Sequence, residues 1–256
     1  MKITLLQTDI VWGDPEANVR KVDTMIAGDD ADLYVLPEMW ATGFAVHPEE
    51  VAEEESSSRA LEWMRQTAND RNCAVCGSLA VRDSVDGSYR NRFYFVTPRA
   101  VTCYDKRHLF TFAHEDEHYT RGHRPVIVIY RGMRFLLEIC YDLRFPVWSR
   151  WGRVGEYDAI IYVANWPSAR QQAWDTLLRA RAIENQCYVI GVNRVGQERK
   201  ALFEGGSSVI DPQGTTIATC QVNECTCQVD IDIAEVISQR ESFPVLKDRD
   251  LSYGIG

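Results

Sequence analysis

The chain has 256 residues, 45% of them apolar, with 28 Lys and Arg set against 37 Asp and Glu for a net charge of −9. That is enough length and apolar content for one large domain with a buried core. The acid excess argues against nucleic acid or an anionic membrane as the main partner, and no apolar run approaches the length that crosses a bilayer.

In chain order, strand and helix signals alternate. Residues 2–7 read as a strand. Asp14 then Pro15 read as an N-cap and first helical residue, with Val19, Val22 and Ile26 on one face and Gly28 as the stop. Residues 33–36 form an apolar strand, 56–72 a second helix with Leu61, Met64 and Ala68 on one side, and 73–81 another strand. Asp86-Gly87 marks a hairpin. Strands follow at 93–96, 101–104, 126–130, 134–140 and 159–164. Residues 171–185 read as a helix, 187–193 as a strand, and Asp211-Pro212-Gln213-Gly214 as a turn between two strands. Strands buried on both faces between helices imply a sheet-and-helix α/β domain spanning 1–256. The polar tail from about 235–256 is expected to wrap the body or a partner subunit.

The first residues turn polar too quickly for a secretory leader, so a cytoplasmic protein is expected. The eight cysteines are scattered, many inside apolar strands, and read as reduced thiols rather than a disulfide framework. Cys73-Ala74-Val75-Cys76 lies in a strand pattern, not at a helix start, which weakens a redox reading. Cys225 and Cys227 alternate as one face of a strand.

Three strand ends carry chemistry. Leu33 to Glu38 ends on a carboxylate, Val101 to Lys106 on an ammonium, and Phe135 to Cys140 on a thiol followed by a polar turn. Glu38, Lys106 and Cys140 supply a base, an electrostatic stabiliser and a nucleophile. Each alone has a plainer reading: a loop carboxylate, a basic turn, a packed core thiol. Together, at the ends of three apolar or β-rich runs, they point to covalent catalysis, and Cys140 is expected to be the first thiol alkylated.

Leu36-Pro37-Glu38-Met39, Tyr104-Asp105-Lys106-Arg107-His108-Leu109-Phe110 and Ile139-Cys140-Tyr141-Asp142-Leu143-Arg144-Phe145-Pro146 resemble, in order, the three active-site motifs of the nitrilase, or carbon–nitrogen hydrolase, superfamily. Ala164-Asn165-Trp166-Pro167, the 179–185 segment, the 206–214 hairpin and the 243–249 segment extend the resemblance over nearly the whole chain. The run CYDLRFPVWSR from Cys140 is most like the ω-amidase (2-oxoglutaramate amidase) branch.

The resemblance implies a four-layer α-β-β-α sandwich, paired through one face as a homodimer, acting on a small-molecule amide with no cofactor and no catalytic metal. It also implies Glu38 as general base, Lys106 and the backbone N–H of Tyr141 as oxyanion donors, and Glu115 as a supporting acid that orients Lys106. Phe44, Phe112, His118, Arg144 and Trp166 are candidate substrate contacts because they neighbour the motifs. Glu138, two residues before the nucleophile, is expected on the Cys140 side of its strand, paired with a base such as Arg134 or shifting the thiol's pKa.

Two rivals remain at this level. The superfamily includes N-carbamoyl hydrolases, whose triad chemistry is shared. His114-Glu115-Asp116-Glu117-His118 matches the H-E-x-x-H pattern of zinc metallohydrolases, which requires a long helix that the flanking residues do not provide.

Overall fold

The computed structural model describes residues 1–198 and 200–250. Strands β1 (Lys2–Gln7), β2 (Leu33–Val35), β3 (Glu53–Glu54), β4 (Ala74–Arg82), β5 (Tyr89–Val96) and β6 (Val101–Asp105) belong to a first sheet. The second sheet takes β7 (Ile127–Tyr130), β8 (Met133–Ile139), β9 (Ala159–Ala164) and β10 (Tyr188–Asn193). A separate hairpin, β11 (Val195–Glu198) with β12 (Ala201–Glu204), follows. β13 (Ser208–Ile210) and β14 (Thr216–Thr219) extend the second sheet, and β15 (Cys225–Asp230) returns to the first. The strand orders are β15-β1-β2-β4-β5-β6, with β3 on β4, and β14-β13-β10-β9-β8-β7.

Strand alternation sorts the side chains into layers. Leu33 and Val35 on β2 face inward to meet Phe135, Leu137 and Ile139 on β8, with Phe93, Phe95 and Ile161 between the sheets. Tyr34 and Val75 point the other way, onto Val19, Val22 and Ile26 of α1 (Pro15–Met25) and Met64 and Ala68 of α2 (Arg59–Arg71). Leu136, Ile160 and Val189 point outward onto Trp174, Leu178 and Ala182. Those three belong to α4 (Gln171–Asn185), which follows the one-turn α3 (Glu115–His118). The result is the four-layer α-β-β-α sandwich.

Local signals explain most boundaries. The Asp14 carboxylate caps α1 through the Ala17 N–H at 2.9 Å, and Pro15 is its first residue. The second helix starts at Arg59, not 56, because the Ser58 hydroxyl caps Leu61 N–H. Left-handed Asn72 closes it. The Asp211–Gly214 turn forms as expected, with Gly214 N–H on the Asp211 carbonyl at 2.9 Å. The tail is more ordered than its polarity suggests. It forms α5 (Ile233–Ser242), capped by Asp232, then a 3-10 turn at Val245–Asp248. Val236 joins the intersheet core and Leu246 the α4 layer, so the part up to Asp250 packs on this chain's own body. Residues 251–256 of the expected arm lie outside the described residues.

Candidate active site

Glu38 follows the carboxyl end of β2, Lys106 that of β6 and Cys140 that of β8. The parallel pairing of β1, β2 and β4 in one sheet, and of β8, β9 and β10 in the other, leaves strand carboxyl ends exposed together, where α/β sheets bind ligands. Two residues at this edge have left-handed backbones: Met39 at φ 43° directly after Glu38, and Cys140 itself at φ 46°. Non-glycine residues seldom adopt that region unless their surroundings enforce it.

Asp142 does so at Cys140. Its carboxylate accepts from Ile139 N–H at 3.0 Å, His108 N–H at 2.9 Å and the Tyr104 hydroxyl at 2.8 Å. The turn 140–144 is thereby anchored to the segment carrying Lys106. Behind Lys106, Gly122 approaches so closely that a Cβ there would lie 2.1 Å from the Asp105 carbonyl oxygen, so only glycine fits.

The side chains of Glu38, Lys106 and Glu115 are fully buried. Lys106 Nζ donates to Glu38 Oε1 at 2.8 Å and to Glu115 at 3.1 and 2.9 Å. Asn91 Nδ2 donates to both carboxylates, at 2.7 and 3.1 Å. Asn165 N–H reaches Glu38 Oε2 at 2.8 Å, and Phe110 N–H reaches Glu115 Oε2 at 2.6 Å. Buried charges persist only when paired and hydrogen-bonded to this extent.

Burial alone would lower the pKa of the Lys106 ammonium, but Glu115 and then Glu38 outweigh it and hold the ammonium above its usual range. Burial raises Glu115, with Lys106 opposing and Glu38 adding to the rise. Burial likewise pushes the Cys140 thiol well up. The Glu38 charge, and the thiol's hydrogen bond to that carboxylate, push the same way against Lys106. These influences favour the neutral thiol over the thiolate at rest.

Cys140, Lys106 and Asn165 open into a cavity of about 600 Å³ walled by Phe44, Phe110, Phe112, Tyr141, Trp166 and Phe203. Arg144 and Arg170 also line it. The first lies over the Trp166 ring at 4.8 Å, the second over Phe112 at 5.2 Å and Phe110 at 5.7 Å.

The carbon–nitrogen hydrolase family model matches residues 2–241. This chain belongs to the carbon–nitrogen hydrolase family. It is 45% identical over 254 residues to omega-amidase YafV of Escherichia coli K12, covering 98% of this chain and 97% of that protein. It is 35% identical over 252 residues to 2-oxoglutaramate amidase of Bacillus subtilis 168, covering 96% of each. Among solved structures it superimposes with a TM-score of 0.93 on a CN-hydrolase superfamily protein from Xanthomonas campestris with an arsenic adduct in its active site. The two are 36% identical over 100% of this chain and 99% of that one.

Of the sequence candidates in this hydrolase, Glu38, Lys106, Glu115 and Cys140 converge, and Phe44, Phe112, Tyr141, Arg144 and Trp166 line the cavity. His118 lies outside that lining. Its ring packs edge-on against His47 at 4.5 Å. The H-E-x-x-H segment has no zinc-protease geometry. His114 is left-handed, at φ 62°, ahead of a helix of only four residues, and its ring pairs with Glu117 at 2.8 Å. Glu138 also departs from expectation. It shares the outer face of β8 with Leu136, near Arg181 and Asp142, while Arg134 is occupied by Asp158 and Glu156. Burial raises its pKa well above the usual carboxylate value, Asp142 adding and Arg181 opposing, and it is absent from the main groups acting on the thiol.

Sequence reasoning passed over Asn91 and Asn165. Asn91 is fixed by Ser78, whose hydroxyl donates to its Oδ1 at 2.9 Å, leaving its amide N–H groups for the two glutamates. Asn165 grips the Glu38 main chain at 2.6 Å and keeps a buried Oδ1 without a protein partner among the described residues. Asn91 stands between Arg90 and Arg92, so nothing in the local pattern marked it as buried.

Proposed function

We propose that this hydrolase is an ω-amidase, releasing ammonia from small ω-monoamides of dicarboxylates, of the 2-oxoglutaramate kind, through a thioester on Cys140. The observation that carries the reading is the fully buried Glu38–Lys106–Glu115 cluster, whose Lys106 bonds both carboxylates and lines the same cavity as Cys140. The ω-amidase and 2-oxoglutaramate amidase relatives, matched over nearly their whole length, support it.

When the amide carbonyl sits against the sulfur, Glu38 takes the thiol proton and the S–C bond forms. The oxyanion is stabilised by the Lys106 ammonium and the Tyr141 backbone N–H. The orphaned Asn165 Oδ1 accepts an amide N–H and orients the nitrogen. Glu38 returns its proton to that nitrogen, the C–N bond breaks and ammonia leaves. A water deprotonated by the same carboxylate then cleaves the thioester to give the free acid and the thiol. Every proton passes through Glu38, so no metal is required.

The cavity's two arginines suit the substrate's distal carboxylate, since neither is in a salt bridge among the described residues. Comparing kcat/KM for 2-oxoglutaramate, butyramide, a nitrile and an N-carbamoyl amino acid tests this. The ω-monoamide should win, and Arg170→Leu or Arg144→Leu should raise KM for it at least about tenfold, equivalent to about 1.4 kcal/mol, while sparing butyramide. Equal rates with butyramide would remove the carboxylate argument. Preference for the carbamoyl compound would move the enzyme to that branch.

A homodimer is part of the proposal. Ile183 on α4 and Phe243 after α5 are 50% and 62% exposed, apolar surface that a second copy would cover, and light scattering measures the stoichiometry. So is a cytoplasmic setting, which suits eight free cysteines. No helix among the described residues is long and apolar enough to cross a membrane.

A further inference from the structure

His118 was singled out with the H-E-x-x-H motif and took no part in the cavity, yet it does not stand alone. One ligand atom each of His47, Glu49 and His118 lies within 4.8 Å of the other two. The His47 and His118 rings meet edge-on at 4.5 Å, and His47 Nδ1 is 3.5 Å from Glu49 Oε1. We propose that His47, Glu49 and His118 form a binding site for a first-row divalent transition metal, with zinc the reference ion, on the rim of the substrate cavity.

The donor set is two imidazoles and one carboxylate, the combination borderline divalent ions accept with one or more positions left for water. Metal–ligand distances of about 2.0–2.2 Å require the three donor atoms to draw in only modestly, and the half-exposed His47 and Glu49 side chains are free to do so. Local charge favours a cation, since Glu50 neighbours the first two ligands and Asp116 and Glu117 precede the third.

The location gives such a site a consequence. His47 and Glu49 follow Phe44 and Val46, two cavity residues. His118 ends the turn that begins at Glu115, the partner of Lys106. The two segments already touch where the Tyr119 hydroxyl donates to the Ala45 carbonyl at 2.7 Å. A metal would add a second clasp, one residue before Tyr119 and two and four residues after Ala45, tying a cavity wall to the segment that positions Lys106. None of the three ligands lines the cavity, and the ion takes no part in the chemistry.

Equilibrium dialysis of the intact protein against zinc, with parallel cobalt spectra and thermal melts, tests this. One equivalent should bind and raise Tm. His47→Ala, Glu49→Gln and His118→Ala should each weaken binding by at least the roughly 10–100-fold seen when even outer partners of a metal ligand are lost, and should lose the Tm rise. A Cys220→Ser/Cys225→Ser/Cys227→Ser triple variant should bind as the wild type does, and the cobalt complex should show ligand-field bands without thiolate charge transfer. His47→Ala without metal should turn over at the wild-type rate. Absence of stoichiometric binding up to millimolar zinc, binding unchanged in either histidine variant, or a thiolate signature in the cobalt spectrum would each overturn the assignment.

Discussion

Cys140 and Cys227 are both partly exposed thiols on or beside a strand, and their surroundings push them in opposite directions. At Cys140, burial and the Glu38 carboxylate drive the thiol pKa well up. At Cys227, on β15 at the edge of the first sheet, the neighbouring Cys220 thiol and, less strongly, the Thr219 backbone pull the pKa down to about 7 against the effect of burial. Judged by resting acidity alone, Cys227 would be taken for the nucleophile. What distinguishes Cys140 is a proton acceptor in contact, an ammonium positioned for the product of attack, and a cavity. In the proposed mechanism the proton leaves only when substrate arrives.

The largest effect should come from exchanging the two sites. Cys140→Ala should lower kcat by about 10⁴–10⁶-fold, the range for removal of an enzyme nucleophile, with Tm nearly unchanged. Cys227→Ser should leave kcat within about twofold, an estimate resting on its distance from the reacting groups. Steady-state ammonia release measures both. A Cys227→Ser enzyme as dead as Cys140→Ala would reverse the assignment.

Glu38→Gln separates acidity from catalysis within one site. Loss of the base should cost about 10²–10⁴-fold in kcat. The Glu38 charge and its hydrogen bond also hold the thiol pKa up, while Lys106 pulls it down. Removing the carboxylate should therefore lower the Cys140 pKa and speed its alkylation by iodoacetamide at neutral pH even as turnover collapses. Slower alkylation would mean that Glu38 activates the thiol at rest.

Lys106 and Glu115 refine the same contrast. Lys106→Arg keeps the charge but replaces a point donor with a planar fork that cannot satisfy both buried carboxylates as Nζ does. A kcat loss of about 10²–10³-fold is expected for a displaced oxyanion donor. Glu115→Gln should cost about tenfold, as a positioning residue does, and should carry a signature that a merely structural role would not. Glu115 is the main charge holding the Lys106 ammonium above its usual range. Its loss lowers that pKa, so the alkaline limb of the kcat–pH profile should move to lower pH.

Periodicity carried the sequence reading far. The Gln171–Asn185 helix, the apolar β2 and β8 strands, and the three strand ends at Glu38, Lys106 and Cys140 were all legible, because apolar runs and capping residues encode them locally. The left-handed backbones of Met39 and Cys140 were not, since neither residue type signals positive φ. Alternation placed Glu138 on the side of Cys140, and Cys140 does pack against the outer cluster that holds Leu136; what local pattern could not show is that Arg134 is taken by Asp158 and Glu156. The role of Asn91 depends on a contact with Glu38, distant in the chain, to which local pattern is blind.

The smallest effect, and the cleanest test of the contrast, concerns the order of alkylation. A strand-end nucleophile is expected from sequence to label first, whereas the electrostatics reverse that order. Cys220 draws the Cys227 pKa below that of an ordinary thiol, which near 8.5 is only a few per cent ionised at neutral pH, and the thiolate is the reactive form. One equivalent of iodoacetamide at pH 7 should therefore mark Cys227 before Cys140 by peptide mapping, and ammonia release should barely change. The Cys227 rate should rise with pH about a midpoint near 7. Cys220→Ala removes the donor that stabilises the thiolate, so the midpoint should move to higher pH. A midpoint unmoved by Cys220→Ala would assign the acidity to the Thr219 backbone instead, and activity lost in step with Cys227 labelling would show that the two thiols are not independent.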